Sequence, residues 1–250
     1  MRTSRPPDKA LISAGRAFAA AVVALLAPPL CVQGQATADS VTCDGIAVVS
    51  AELSHREADA YCKYAARERK KVEKYWGPTW RDPIRIQVSS QYATANTMVG
   101  IGGRMGRIDM PLDRVRDRTG ALLHEITHNY APNTNRFLYE GLGVYLQDKI
   151  GEARGFPTFG RPLDAAAAEA ARSVGSLDEL DAVRFPRPLA SVMADRPAYL
   201  LAGSFVKYLL DRKGGLDTFR ALYASGDYQA TYGAPFSALE RDWRAHLLRR

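Results

Sequence analysis

Residues 124–128 read His-Glu-Ile-Thr-His, and nine residues past the second histidine the chain runs Phe137-Leu138-Tyr139-Glu140-Gly141-Leu142. These two segments constrain the fold most, because their side chains can cooperate only if both are helical and lie side by side. An α-helix has 3.6 residues per turn, so positions i and i+4 stack on one face. His124 and His128 can therefore share one ion. Imidazole is a favoured zinc ligand, and a catalytic zinc takes three protein ligands and keeps one position for water. Glu125 projects about 100° further round the helix. That places it beside such an ion, where its carboxylate can take a proton from a water acidified toward a pKa of about 7. The H-E-x-x-H pattern carries this chemistry in metal-dependent hydrolysis.

The surrounding residues predict the helical pair. Ala121, Leu122, Leu123 and Ile126 are apolar, Thr119 is the expected cap, and Pro132 stops the helix. Asn133, Thr134 and Asn135 read as a turn, with Asn135 as N-cap of a second helix over about 136–150 and Gly151 as its stop. So short a connection makes the helices antiparallel neighbours. Glu140 then sits near the end of the first helix, as the natural third ligand. Asp148 and Glu152, about two and three turns further on, are the alternatives.

His124-Glu125-Ile126-Thr127-His128 followed by Phe137-Leu138-Tyr139-Glu140-Gly141-Leu142-Gly143-Val144-Tyr145 resembles the gluzincin metallopeptidases. It is most similar to the E-G-L-A-x-Y helix of small bacterial peptidases of the thermolysin and aminopeptidase N superfamily. The resemblance is strong over residues 119–148 and weaker over about 84–225. It implies an α+β, zincin-like metallopeptidase domain: a small mixed sheet, a zinc-binding helical hairpin and a C-terminal helical lobe. It also implies one zinc ion on His124, His128 and Glu140, Glu125 as general base, and a peptide or protein substrate.

The chain departs from relatives of this kind in several places. The spacing from His128 to Glu140 is shorter than in thermolysin, and thermolysin's aspartate four residues after the ligand glutamate is Val144 here. The hydrogen-bond partner that a metal-bound histidine usually needs is thus unassigned. Ala131 and Thr134 stand where a metzincin would have glycine and a third histidine. Gly103-Arg104-Met105-Gly106-Arg107 lacks the glutamate of the aminopeptidase N G-x-M-E-N signature, which points to an endopeptidase rather than an aminopeptidase. Tyr199 is placed like the tyrosine that stabilises the oxyanion in aminopeptidase N relatives; the alternative is a core tyrosine on an amphipathic helix. Tyr139 and Tyr145 are rivals for that role. The resembling peptidases pair extended substrate with an edge strand just before the zinc helix. Residues 100–110 hold that place, with Gly102, Gly103 and Arg104 as candidate substrate contacts; a plain hairpin loop is the alternative. Two other functions use the same features: a catalytically silent module for binding or envelope assembly, and a zinc hydrolase of a non-peptide amide or ester.

The N-terminus reads as a signal peptide over residues 1–38. Arg2, Arg5, Lys9 and Arg16 precede the apolar run Ala17–Leu30, too short for a confident span, and Ala36-Thr37-Ala38 fits a cleavage site. Pro28-Pro29-Leu30 before Cys31 does not resemble a lipobox. Residues 39–250 are then a single exported domain, periplasmic or secreted, with no stable membrane insertion after cleavage. An exported chain with the pair Cys43 and Cys62 is expected to join them in a disulfide. The net charge of +7 is scattered apart from small clusters at Arg67–Lys71 and Arg114–Arg118, without an aromatic platform, which argues against a nucleic-acid partner. His55 and His246 are read as surface residues.

Elsewhere the periodicity predicts a strand at 46–49, a long helix from Ser54 to Trp76, and strands over 84–88 and 107–111. Beyond the hairpin the chain reads as helical: an alanine-rich helix or mobile lid at 165–172, a short helix from Ser176, an amphipathic helix over 196–213, and two more over 216–223 and 236–248.

Overall fold

The computed structural model describes residues 39–98 and 106–249. The expected signal peptide and the candidate contacts Gly102, Gly103 and Arg104 lie outside the described residues. The architecture is α+β, with a mixed five-stranded sheet at the N-terminal end and helices thereafter.

Strand β1 (Asp39–Cys43) forms a hairpin with β2 (Ile46–Ser50), and helix α1 (His55–Trp76) crosses over to β3 (Ile84–Ser89), parallel to β2. In β3, Ile84, Ile86 and Val88 are buried and alternate with more exposed residues, the period-2 pattern of a half-buried strand. Helix α1 packs on β1 and β2. The Cys43–Cys62 disulfide ties β1 to α1, as the sequence predicts.

One expectation needs correction. Strand β5 (Arg107–Pro111) is not a sheet edge, because it lies between β3, parallel to it, and β4 (Asn96–Met98), antiparallel. The chain passes β3, reaches the edge as β4 and returns into the gap as β5. Residues 107–109 therefore already have partners on both sides, and the edge beside the candidate site belongs to β4.

Between β5 and the hairpin lies a short helix that periodicity was too brief to reveal, α2 (Leu112–Asp117), which buries Leu112 and Val115. Helices α3 (Leu122–Tyr130) and α4 (Arg136–Ile150) form the expected pair; contacts of His124 with Gln147 and of His128 with Glu140 run them antiparallel. Pro132 and the Asn135 cap act as predicted, the Asn135 side chain accepting from the Leu138 amide at 3.0 Å. Helix α3 packs on α1, and α4 packs on α7 (Asp195–Leu210). Gly141 makes that approach possible: a Cβ there would fall 2.6 Å from the Ala202 carbonyl oxygen. The alanine-rich segment, α5 (Leu163–Ala171), is a packed helix rather than a lid; it buries Leu163, Ala166 and Ala167 against α7. Helices α6 (Asp178–Asp181), α8 (Gly215–Ser225), α9 (Tyr228–Tyr232) and α10 (Phe236–Leu247) complete the lobe, around buried Phe205, Phe219 and Trp243. No helix among the described residues is long and apolar enough to cross a membrane.

Candidate metal centre

His124 and His128 lie one turn apart on α3 and face Glu140 on α4. His124 Nε2 is 3.0 Å from Glu140 Oε2, His128 Nε2 is 3.2 Å from the same oxygen, and the two Nε2 atoms are 2.9 Å apart. All three side chains are buried. Three lone-pair donors this close repel one another unless a cation or shared protons lie among them. Ligands of a tetrahedral zinc with bonds of about 2.0–2.1 Å would stand roughly 3.3 Å apart, close to the separations observed. The residues present thus fit a zinc-sized ion. Among the described residues they are also the one cluster of at least three His, Cys, Asp or Glu side chains suited to a metal. The alternative ligands are engaged elsewhere: Glu152 pairs with Lys71 at 3.0 Å, and Asp148 is outside the cluster.

The electrostatics keep this cluster anionic at its carboxylate. Burial alone would raise the Glu140 pKa, but the two histidine rings facing it, His128 foremost, hold it well below the usual carboxylate range. Burial also opposes charge on the histidines. At His124 the Glu140 hydrogen bond and the nearby carboxylates outweigh burial and raise its pKa, whereas at His128 burial prevails and the pKa is lowered.

Several residues that sequence reasoning missed hold this geometry. Arg136, four residues before Glu140 and so on the same face of α4, places Nη2 2.5 Å from Glu140 Oε1. Its pairing leaves Oε2 for the histidines. Gly143 lets the His124 ring lie directly on α4, since a Cβ there would come 2.6 Å from His124 Nδ1. Gln147, seven residues after Glu140 and again on that face, accepts a hydrogen bond from the His124 backbone N–H at 3.2 Å and donates to the Ala153 carbonyl at 2.9 Å. It supplies the cap expected of Thr119: the N-cap position is Ala121, with no side-chain capping bond, and Thr119 Oγ1 instead meets Arg114. The signals were present as in-phase polar and glycine positions on α4, but only the partner helix gives them meaning.

For His128, whose partner the sequence leaves unassigned, the structure offers a stacked ring rather than a hydrogen bond at Nδ1. Its Nδ1 is buried with no hydrogen-bond partner among the described residues, and the ring is oriented by Tyr139, stacked 3.7 Å away at 10°. The Arg136 guanidinium lies over the other ring of this stack, 5.0 Å from the Tyr139 centroid. Tyr145 points away, within 3.3 Å of the Tyr75 hydroxyl and accepting from Lys149. Tyr199, on the first turns of α7, stacks on the His124 ring at 6.0 Å and 26°. Burial, with the Glu140 charge nearby, raises its pKa, so the phenol stays protonated at neutral pH. Glu125 follows His124 on α3 and is itself buried. Its charge acts on both histidines, Tyr139 and Tyr199. The connecting turn is fastened from outside: Tyr223 on α8 donates to the Ala131 carbonyl at 2.7 Å, and Asn133 donates to the Tyr223 carbonyl at 2.6 Å. His55 and His246 lie apart from this cluster.

No protein-family model matches the chain, and no curated protein matches it. Among solved structures, it is similar to a two-domain M1 zinc metallopeptidase, a point mutant bound to L-arginine, at 19% identity and a TM-score of 0.48. The match covers 80% of this chain and 48% of that one, so the chain spans about half the length of that protein. A likeness this distant says nothing of substrate or activity.

Proposed function

We propose that the chain is an exported zinc-dependent peptidase, with His124, His128 and Glu140 holding one ion and Glu125 acting as general base. The observation that carries this reading is the convergence of three buried donor atoms within 3.2 Å of one another, from α3 and α4, with buried Glu125 adjacent to His124 in the chain. Zinc held there would supply a Lewis acid beside the scissile carbonyl and acidify water.

The chain's own residues then divide the remaining work. Glu125 takes a proton from the water whose oxygen adds to the carbonyl carbon, and returns it to the amide nitrogen as the C–N bond breaks. Tyr199, kept protonated by burial, donates a hydrogen bond to the oxyanion. Arg136 holds Glu140 by its outer oxygen, so the ligand glutamate does not swing toward the substrate. An endopeptidase is favoured over an aminopeptidase because no acidic residue in the stretch 103–107 can receive an α-amine. Export is supported by the Cys43–Cys62 bond, which suits an oxidising compartment.

The test is cleavage of casein and a mixed peptide library by the purified protein, with zinc measured on the same sample and Glu125→Gln beside it. Stoichiometric zinc and cutting that disappears in Glu125→Gln are expected. A folded sample without zinc, purified without chelator, would refute the ligand assignment. Zinc without cutting would leave a binding module, or a hydrolase of another amide or ester.

A further inference from the structure

Among the described residues, four large apolar side chains are exposed, and two of them, Phe156 (36%) and Phe159 (55%), share one loop. Their rings meet edge to face at 6.2 Å, and Phe156 meets Tyr199 edge to face at 5.3 Å. Tyr199 in turn stacks on His124. An unbroken series of rings therefore leads from the candidate metal ligand to the surface. Scattered surface aromatics need no explanation, but a contiguous exposed group beside a reaction site does.

The loop is also fixed in place. Arg196, three residues before Tyr199 on α7, donates from Nε to the Pro157 carbonyl at 3.0 Å and sets its guanidinium 5.6 Å from the Phe159 centroid. The Phe159 amide donates to the Gly155 carbonyl at 2.8 Å. Gly155 itself sits directly against the Thr119 carbonyl just before α3, too close for a side chain. One end of the loop is thus set by the helix carrying Tyr199 and the other by the approach to His124.

We infer that Phe156, Phe159 and the outer edge of Tyr199 form a preformed shelf for a large apolar side chain of the substrate, next to the bond presented to Glu125. They are specificity-determining residues for the reaction proposed above, and the inference rests on that reading. An aromatic shelf gains from each ring or branched chain laid on it, and rejects small or charged side chains by leaving its own apolar surface wet or by desolvating their charge.

The experiment compares matched peptides that differ only in Phe, Leu or Ala beside the scissile bond. Values of kcat/KM are measured for the zinc-loaded wild type, Phe156→Ala, Phe159→Ala and the conservative Phe156→Leu. The wild type is expected to prefer Phe over Ala by roughly tenfold, and each alanine variant to reduce this to about twofold. Zinc content should be unchanged, and Phe156→Leu should keep most of the preference. No preference in the wild type, or one that survives both alanine variants, would overturn the inference. Absence of any cleavage would instead count against the peptidase reading. Equilibrium binding of the Phe and Ala peptides to zinc-loaded Glu125→Gln, with and without Phe156→Ala, then decides the shelf separately: a tenfold difference lost in the variant supports it, and equal affinities refute it.

Discussion

Helices α1 and α3 stand side by side but are specified in opposite ways. Helix α1 carries its own instructions. Ser54 caps it, Glu57 closes a reciprocal capping box, and its apolar positions recur at helical spacing over 22 residues. Helix α3 has nine residues, no capping side chain of its own, and polar groups buried on its functional face. Its start is capped by Gln147 of α4, one of its rings is seated on Gly143 of α4, and its exit is tied to Tyr223 of α8. A short helix is marginal by itself, so the one that bears the candidate ligands depends on its neighbours. Damage to α1 should therefore cost stability alone, whereas damage to the supports of α3 should also reach the metal.

The sharpest test of this contrast is Gly143→Ala. The added methyl would enter the His124 ring, and the ring cannot retreat without leaving Glu140. Zinc affinity, measured by competition with a chelating dye, is expected to fall by about 100-fold, since even outer partners of metal ligands are worth 10–100-fold. Unchanged affinity would show that α3 can move independently of α4. The counterpart on the α1 side is the double variant Cys43→Ser with Cys62→Ser. It opens a crosslink between β1 and α1, far along the chain from either ligand helix. A loss of about 3 kcal/mol in urea unfolding is expected, with zinc affinity unaltered. Weaker zinc binding here would erase the distinction.

Gln147→Leu lies between these extremes. It strands the His124 amide, and a buried amide without its acceptor costs about 1–3 kcal/mol. Because that amide belongs to a proposed ligand, zinc affinity should drop as well, by roughly tenfold. A purely structural Gln147 would lower the unfolding midpoint of both metal-free and zinc-loaded protein equally, and that result would count against the coupling.

The same contrast explains what could be read from the chain. Ile84, Ile86 and Val88, the Ser54 start and the Asn135 cap announce their elements because each signal acts within a few residues. His124, His128 and Glu140 could be read as a candidate metal set because metal chemistry demands fixed donor types at helical spacing. Arg136, Gly143 and Gln147 were in view but silent, as their roles exist only once α3 and α4 face each other. The placement of β5 was misread for a related reason: its sequence shows an alternating strand equally well at an edge or inside a sheet, and only the return of the chain past β4 decides. The Phe156–Phe159 loop has no periodic signal at all, and Tyr199 gains a neighbour there through tertiary packing alone.

The smallest expected effects lie at the start of α1, where they isolate local from borrowed stability. Ser54→Ala removes the hydroxyl that accepts from the Glu57 amide and should cost about 1 kcal/mol. The Glu57 carboxylate accepts from the Ser54 hydroxyl and backbone amide and, at 3.0 Å, from Arg116 Nε, which together lower its pKa to about 2. A carboxylate whose pKa is lowered by folding stabilises the folded state fully above its unfolded value of about 4.5, and this contribution is lost as pH falls toward 2. Between pH 5 and pH 2, chelator-treated wild type should therefore lose more stability than Glu57→Gln, whose side chain does not titrate. Parallel curves for the two proteins would mean that the box forms without its charge. Chelation removes metal release from the acid limb, and the cluster's own titration is common to both proteins, so what remains in the difference is the charge of the α1 box together with its Arg116 partner from α2.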